Sequence, residues 1–453
     1  MARRDDSRRI PGIESTTGNP IDGAGPDQDD RAEYDYAAGA TERSAPAAEL
    51  DERIDGSVRF DDLSRQLYAT DASAYEVTPI GVVYPTSTAD VKAVVEYCHA
   101  RGMGVLPRGG GTSLAGQSVN EAVVLDFTQQ MNEVRAIDTE ARRARAQPGV
   151  LLGDLNAALE PEGLKFAPDP AWGEKSALGG AIGNNSTGSH SLQYGKTDAY
   201  IEECEVVLAD GTVTEFGTVS VAELEAGAAG ELDISEAEQR IYSAVCSLLD
   251  ERELIERRYP ELKRNVSGYN VDRLLSEAEE GAVNLARLLA GSEGTLAIVT
   301  EATVALEPIP AEKAMALLRY DTVADAMADV APIVEHDPAA VEVLDDVLLD
   351  LARETEEFGA LVDEMVPEGI EAVLLVEFYA DSVEGGRGKV ENLLADRVSG
   401  GDEPEQTDGG QGQTTEPIHA TSASEAYEES ERARFWKLRK SGLPILLSRT
   451  SDA

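Results

Sequence analysis

The chain has 453 residues, and its 39 Lys and Arg stand against 86 Asp and Glu, a formal net charge of -47. An excess of that size excludes a general attraction to nucleic acid, so any anion this protein holds must be met by local donors rather than by its overall field. The acid is spread along the whole length, as expected of adaptation to high intracellular salt, where like charges are screened within about 3 Å at molar concentration; an acidic partner-binding tail would gather it in one block.

Residues 1–48 are rich in Asp, Gly, Pro and Ala with few large apolar side chains, which predicts a disordered acidic leader, with folding from near Ala48. Val82 and Val83, followed by Pro85 and Thr86, read as a strand ending in a turn, and Thr88 to Ala100 places Val91, Val94, Val95 and Cys98 at helical spacing. A short apolar run, Met103 to Leu106, then leads into residues 107–118, PRGGGTSLAGQS, with four glycines and three hydroxyl side chains. Glycines without Cβ let successive backbone N–H groups point into one hollow, and such nests bind anions without a lysine; Arg108 is the cation at hand. The loop is not a Walker loop, since no Gly-Lys-Ser/Thr follows, nor a Rossmann fingerprint, since Val119 to Phe127 reads as a strand rather than a helix. Taken alone it is either a nucleotide cradle or a flexible surface turn.

A second segment, residues 168–195 (PDPAWGEKSALGGAIGNNSTGSHSLQYG), alternates glycine with Asn184, Asn185, Ser186 and Thr187, a pattern for close backbone approach to a ligand among neutral hydrogen-bonding groups. Residues 219–278 are charged and helical in pattern, with Ile234 to Arg258 predicted as helices on the outside. Lys263 to Tyr269 (KRNVSGY) is a small positive cluster, read as a solvated loop. In the third segment, Leu288 to Leu306, a Gly-Ser-Glu-Gly-Thr turn feeds a strand-like run, and the first folded unit closes near Pro310. Beyond it, Ala314 to Tyr320 reads as a strand, Thr322 to His336 as a helix, Val373 to Phe378 as a buried strand and Ser422 to Leu438 as a helix. Residues 399–417, polar and of low complexity, are predicted to be a disordered insertion. The fold class is α+β. Cys98, Cys204 and Cys246 stand apart without a C-x-x-C pair, which fits a reducing cytoplasm and offers neither a metal nor an iron–sulfur site. No apolar run approaches the roughly 18 residues of a spanning helix, and no apolar stretch follows the arginine pairs of MARRDDSRRI, so neither a transmembrane segment nor a signal peptide is expected.

From roughly Asp51 onward the three segments, in order, resemble the flavin-binding domain of the vanillyl-alcohol-oxidase type, also called PCMH-type, and within it the D-lactate, D-2-hydroxyacid and glycolate dehydrogenases. The resemblance implies a PCMH-type FAD-binding domain of two α/β subdomains over 49–310, followed by the start of an α+β FAD-linked oxidase cap domain over 311–453. It implies that Gly109, Gly110, Gly111, Thr112, Ser113 and Gly116 hold the FAD pyrophosphate, with Arg108 and Gln117 beside them. Pro170, Gly179, Gly180, Asn184, Asn185 and Gly188 would lie along the ribityl chain and isoalloxazine, and Glu293, Gly294 and the backbone of Ile298 beside the nucleotide half. Some relatives link FAD through a histidine where Thr112 stands, so non-covalent FAD is expected here.

The segment FWKLRKSGLP, Phe435 to Pro444, resembles the place where the cap supplies an arginine to the substrate carboxylate, which carries over to Arg439; from its own residues Arg439 reads as a surface arginine at a helix end. The implied reaction takes a hydride from Cα of a small D-2-hydroxyacid, D-lactate or glycolate, to flavin N5, with electrons passed to a non-oxygen acceptor. The histidine segments that supply the base and metal site in such relatives are absent, so the catalytic residue is unassigned and no metal is expected. Of His99, His190, His336 and His419, only His190 lies in a flavin-facing segment, as a base or as a hydrogen-bonding loop residue. By the same resemblance the chain reads as the N-terminal piece of a split reading frame. A second polypeptide would then carry the rest of the cap and an iron–sulfur module; the alternative is a flavin-binding fragment without activity of its own.

Overall fold

The computed structural model describes residues 40–260, 262, 265–398 and 419–440; the leader up to residue 39 and the insertion at 399–417 lie outside them. Among the described residues, three larger sheets organise the fold, beside two two-stranded pairs. In the first, Ser57–Arg59, Gly81–Tyr84, Val123–Asp126 and Val105–Arg108 lie side by side in that order, the last three parallel. The helix Thr88–His99, capped by Ser87 accepting from the Asp90 N–H, buries Val91, Val94, Val95 and Cys98 against it, as the spacing predicted. Because Val105–Arg108 runs parallel to its neighbour, the glycine loop leaves it at the carboxyl end, where open α/β sheets gather their ligands. The helix Ala40–Asp51 starts ahead of the Ala48 expected from composition: Leu50 near its end is fully buried, an anchor that a composition average hides.

The second sheet is antiparallel, in the order Val134–Asp138, Arg143–Ala146, Ile298–Ala305, Ile201–Val207, Val213–Phe216. Ile298–Ala305 alternates buried and half-buried residues along its length, the period of a strand with one face inside. The helices Leu152–Leu159 and Leu178–Asn184 cover that face with Leu152, Leu155, Leu178 and Ile182. Outside them, Glu236–Asp250 and Arg252–Arg258 occupy the stretch predicted as helices, the first opened by a Ser235–Glu238 capping box.

The third sheet, also antiparallel, runs Ala340–Leu344, Ala372–Ala380, Glu312–Tyr320, Ser422–Ala426. Helices cover both faces. Val323–Val334 and Val383–Arg397 pack on Leu318, Val376 and Phe378, while Asp346–Arg353 and Glu429–Lys440 pack on Met315, Leu317 and Leu375. The helix predicted over Ser422 to Leu438 is therefore split. Ser422–Ala426 pairs instead with Arg319 to Met315, where the edge of Glu312–Tyr320 offers backbone partners, and the helix begins only at Glu429. No helix among the described residues is long and apolar enough to cross a membrane.

Candidate functional site

The three glycine-bearing segments, far apart in sequence, meet around a cavity of about 360 Å³. Of the residues singled out in the sequence, Arg108, Gly109, Gly110, Gly111, Thr112, Ser113, Gln117, Pro170, Gly179, Gly180, Asn184, Glu293 and Gly294 line it. Four others stand behind the wall and shape it. Gly116, at φ 81, turns the loop against the Tyr75 ring. Asn185, at φ 51, ends the helix Leu178–Asn184 and accepts from the Asp198 N–H with its buried Oδ1. Gly188 lies so close to the Asp169 carbonyl that a Cβ would stand 1.9 Å from its oxygen. Ile298 points into the core under the first sheet, while its neighbours Ala297 and Val299 reach the cavity.

The walls are pressed together. A Cβ on Gly110 would stand 1.9 Å from the Lys175 carbonyl oxygen, so only glycine lets the first loop lie against the second segment. Thr112 Oγ1 and Ser176 Oγ are 3.2 Å apart across that seam, and the Gln117 amide donates to Glu293 Oε1 (3.1 Å), joining the first segment to the third. One expectation is corrected here. Arg108 donates from Nη1 to the carbonyls of Tyr68 (3.2 Å) and Ser118 (2.8 Å) and from Nη2 to that of Thr70 (2.8 Å). Its guanidinium clamps the two ends of the loop together rather than standing free for a phosphate.

What remains available is backbone and hydroxyl. Among the described residues, the N–H groups of Gly110, Gly111, Thr112 and Ser113 donate to no protein acceptor, and Ser113 Oγ and Gln117 Oε1 are buried without a partner. Buried polar groups are normally satisfied, so this concentration of open donors and acceptors on one wall marks a surface shaped for a polar ligand. Gly180 completes the cradle: a Cβ there would meet no protein atom within 4 Å.

Beside the cavity, His190 links the second segment to the third sheet. Its Nδ1 bonds Asp169, the residue before Pro170, and its Nε2 lies 3.0 Å from Glu377 Oε1. Glu377 is 1% exposed, and its other oxygen accepts from Trp436 Nε1 at 2.6 Å. Burial opposes a charge on His190, but the bonds to the two carboxylates outweigh it and raise its pKa to about 9. At neutral pH the ring is protonated and both nitrogens donate, so it has no lone pair with which to act as a base. The other histidines lie elsewhere: His99 is exposed, His336 pairs with Asp396 (2.9 Å), and His419 Nδ1 lies 3.4 Å from Arg397. Arg439 is on the same helix as Trp436, and its Nε donates to Glu342 Oε2 at 2.7 Å. Among the described residues its two terminal nitrogens have no acceptor. Lys263 and Arg264 of the positive cluster lie outside the described residues; its last member, Tyr269, has its hydroxyl 2.9 Å from Thr295 Oγ1, beside the third segment.

The sequence matches the FAD binding domain family over residues 79–217, and the C-terminal domain of FAD linked oxidases over residues 309–453. The chain carries both domains of the FAD-linked oxidase family. The chain is 35% identical over 290 residues to a D-2-hydroxyglutarate dehydrogenase of Pantoea ananatis, covering 63% of this chain and 28% of the relative. It is 30% identical to the glycolate oxidase subunit GlcD of Bacillus subtilis, over 72% of this chain and 57% of that one, and 29% identical to a D-lactate dehydrogenase of Anaerostipes hadrus, over 68% and 53%. The chain thus spans about a third of the length of the hydroxyglutarate dehydrogenases it matches. An alkyldihydroxyacetonephosphate synthase shares the fold, with a TM-score of 0.59 at 18% identity over 97% of this chain and 69% of that one. Asp169, Glu377 and Trp436 were not singled out in the sequence. The one available signal was Glu377, a lone acid inside the apolar run VLLVEF.

Proposed function

We propose that the chain binds FAD non-covalently in the glycine-walled cavity and contributes it to the oxidation of a small D-2-hydroxyacid. The open N–H groups of Gly110 to Ser113, beside the unpartnered Ser113 Oγ and Gln117 Oε1, carry this reading. Those N–H groups would hold the pyrophosphate, a role that needs no lysine and survives the chain's negative field. Thr112, whose hydroxyl meets Ser176, offers no nucleophilic ring nitrogen for a covalent link to flavin. When bound, FAD supplies the hydride acceptor. The protein's part is to orient the acid, and Arg439 supports that role: Glu342 fixes its Nε and leaves two terminal nitrogens for a bidentate carboxylate. The relatives named for D-2-hydroxyglutarate, glycolate and D-lactate favour a 2-hydroxyacid over an aromatic alcohol or a sugar.

A second reading is a cofactor-binding half-enzyme that works with another polypeptide. It is favoured by the relative named as a subunit and by the engagement of both nitrogens of His190, which leaves no free imidazole beside the cavity among the described residues. The spread acidity supports a working environment of high salt. Anaerobic addition of D-2-hydroxyglutarate, D-lactate and glycolate in turn to the FAD-loaded chain tests the first reading. Loss of the oxidised flavin band with one acid supports it, and an unchanged band with all three leaves the second.

A further inference from the structure

We propose that His190 is a positioning residue: bonded at Nδ1 to Asp169 and at Nε2 to Glu377, it clasps the C-terminal sheet to the flavin cavity and so fixes the helix that carries Arg439. The inference rests on the reading of Arg439 as the carboxylate partner, and it adds how that arginine is held in place.

The contacts form an unbroken series. Pro170 lines the cavity and Asp169 precedes it. His190 bridges Asp169 to Glu377, in the middle of Ala372–Ala380, and Glu377 in turn accepts from Trp436. Trp436 and Arg439 are three residues apart on Glu429–Lys440, a spacing that puts them on one face. Ring packing reinforces the hydrogen bonds: the imidazole stacks on Tyr379 (5.6 Å between centroids, 17° between planes) and lies 5.4 Å from the Trp436 ring.

Energetics explain why the clasp selects one docked arrangement. Glu377 sits in an apolar strand, where an unpaired carboxylate would be costly, and its hydrogen-bonded charge partner comes from the 168–195 segment, 187 positions away. Trp436 satisfies one oxygen of this buried acid, and the other gains its His190 partner only when the third sheet is seated on the 168–195 segment. Tyr379, stacked on the imidazole, is itself met by Tyr194 (5.9 Å between ring centroids) and by Lys165 and Lys313, each 5.4 Å from its ring. Among the described residues, Asp169 and Glu377 alone bond the imidazole directly.

The test uses the full chain loaded with FAD in molar KCl, as wild type, His190→Gln and Asp169→Asn. The second variant changes a half-exposed residue and keeps a result in reach if the first folds poorly. Three quantities are read: FAD affinity, the affinity for oxalate as a carboxylate probe followed by the flavin spectrum, and hydrogen exchange across 429–440 against 201–207. Both variants are expected to weaken oxalate about tenfold, leave FAD binding within about twofold, and lose exchange protection in 429–440 but not in 201–207. In an Arg439→Lys background the loss of oxalate affinity from His190→Gln should vanish, because His190 acts through Arg439. Additive losses would overturn the proposal, as would unchanged protection of 429–440. If wild type binds FAD but never oxalate, the carboxylate reading of Arg439 fails by itself, and the exchange pattern still decides the clasp.

Discussion

Gly180 separates what the fold needs from what the cofactor needs. A Cβ at this position meets no protein atom within 4 Å, yet the residue lines the cavity, so a larger side chain would project into the ligand's space and nowhere else. Gly180 also lies inside the helix Leu178–Asn184, where leucine is favoured over glycine by about 0.5–1 kcal/mol. Gly180→Leu is therefore expected to leave the apoprotein as stable as wild type or slightly more so. The side chain competes with FAD at an overpacking cost of about 1–3 kcal/mol, which weakens binding by about fivefold to somewhat over a hundredfold. Gly110→Ala gives the opposite balance. Its Cβ would lie 1.9 Å from the Lys175 oxygen, against a floor of 3.0 Å for real contacts, so the seam must open by about 1.1 Å (3.0 less 1.9) and the apoprotein itself loses stability. Urea unfolding of the apoproteins and FAD titration by flavin fluorescence in molar KCl measure both quantities. Wild-type FAD affinity in Gly180→Leu would refute the assignment of the cavity, whatever the stability data show.

Arg439→Lys should leave FAD affinity unchanged and weaken oxalate at least tenfold, because an ammonium cannot reproduce the planar two-nitrogen fork; equal oxalate affinity in the two proteins would remove Arg439 from the site. His190 makes stability depend on pH. Its folded pKa of about 9 lies above the ordinary 6.5, so its contribution is fully present below about pH 6.5 and is lost as pH rises through about 9. The difference in unfolding free energy between wild type and His190→Gln should shrink by on the order of 3 kcal/mol between about pH 6 and about pH 10, and a constant difference would contradict the buried, doubly paired imidazolium. Lowering KCl from about 1 M to about 0.1 M lengthens the Debye length from about 3 to about 10 Å, so the acidic surface repels itself and the unfolding temperature should fall; a rise would argue against the halophilic reading.

The cavity was legible in the sequence because close backbone approach leaves a mark in the letters: glycine at 109–111, 179 and 294 is what close-packed walls demand, while Gly180 lines the cavity with no protein atom against it. Helices with a polar cap and an apolar stripe, such as Thr88–His99 and Val323–Val334, were legible for a similar local reason. Features that depend on a distant partner were not. Ser422–Ala426 becomes a strand only because an edge is waiting for it, and its own residues, SASEA, carry no strand pattern. Arg108 looked like a phosphate ligand until the carbonyls of Tyr68 and Thr70, about 40 positions away, came within reach. The His190 cluster draws on residues 169, 190, 377 and 436, a constellation that no sequence spacing announces.

The most direct test of the account is an anaerobic absorbance spectrum of the FAD-loaded chain in molar KCl before and after D-2-hydroxyglutarate, D-lactate or glycolate, followed by acid precipitation. The account predicts that the oxidised flavin band bleaches with at least one of these acids and that all the flavin is released into the supernatant. A chain that takes up no FAD, or an oxidised band that persists with every acid, would contradict it.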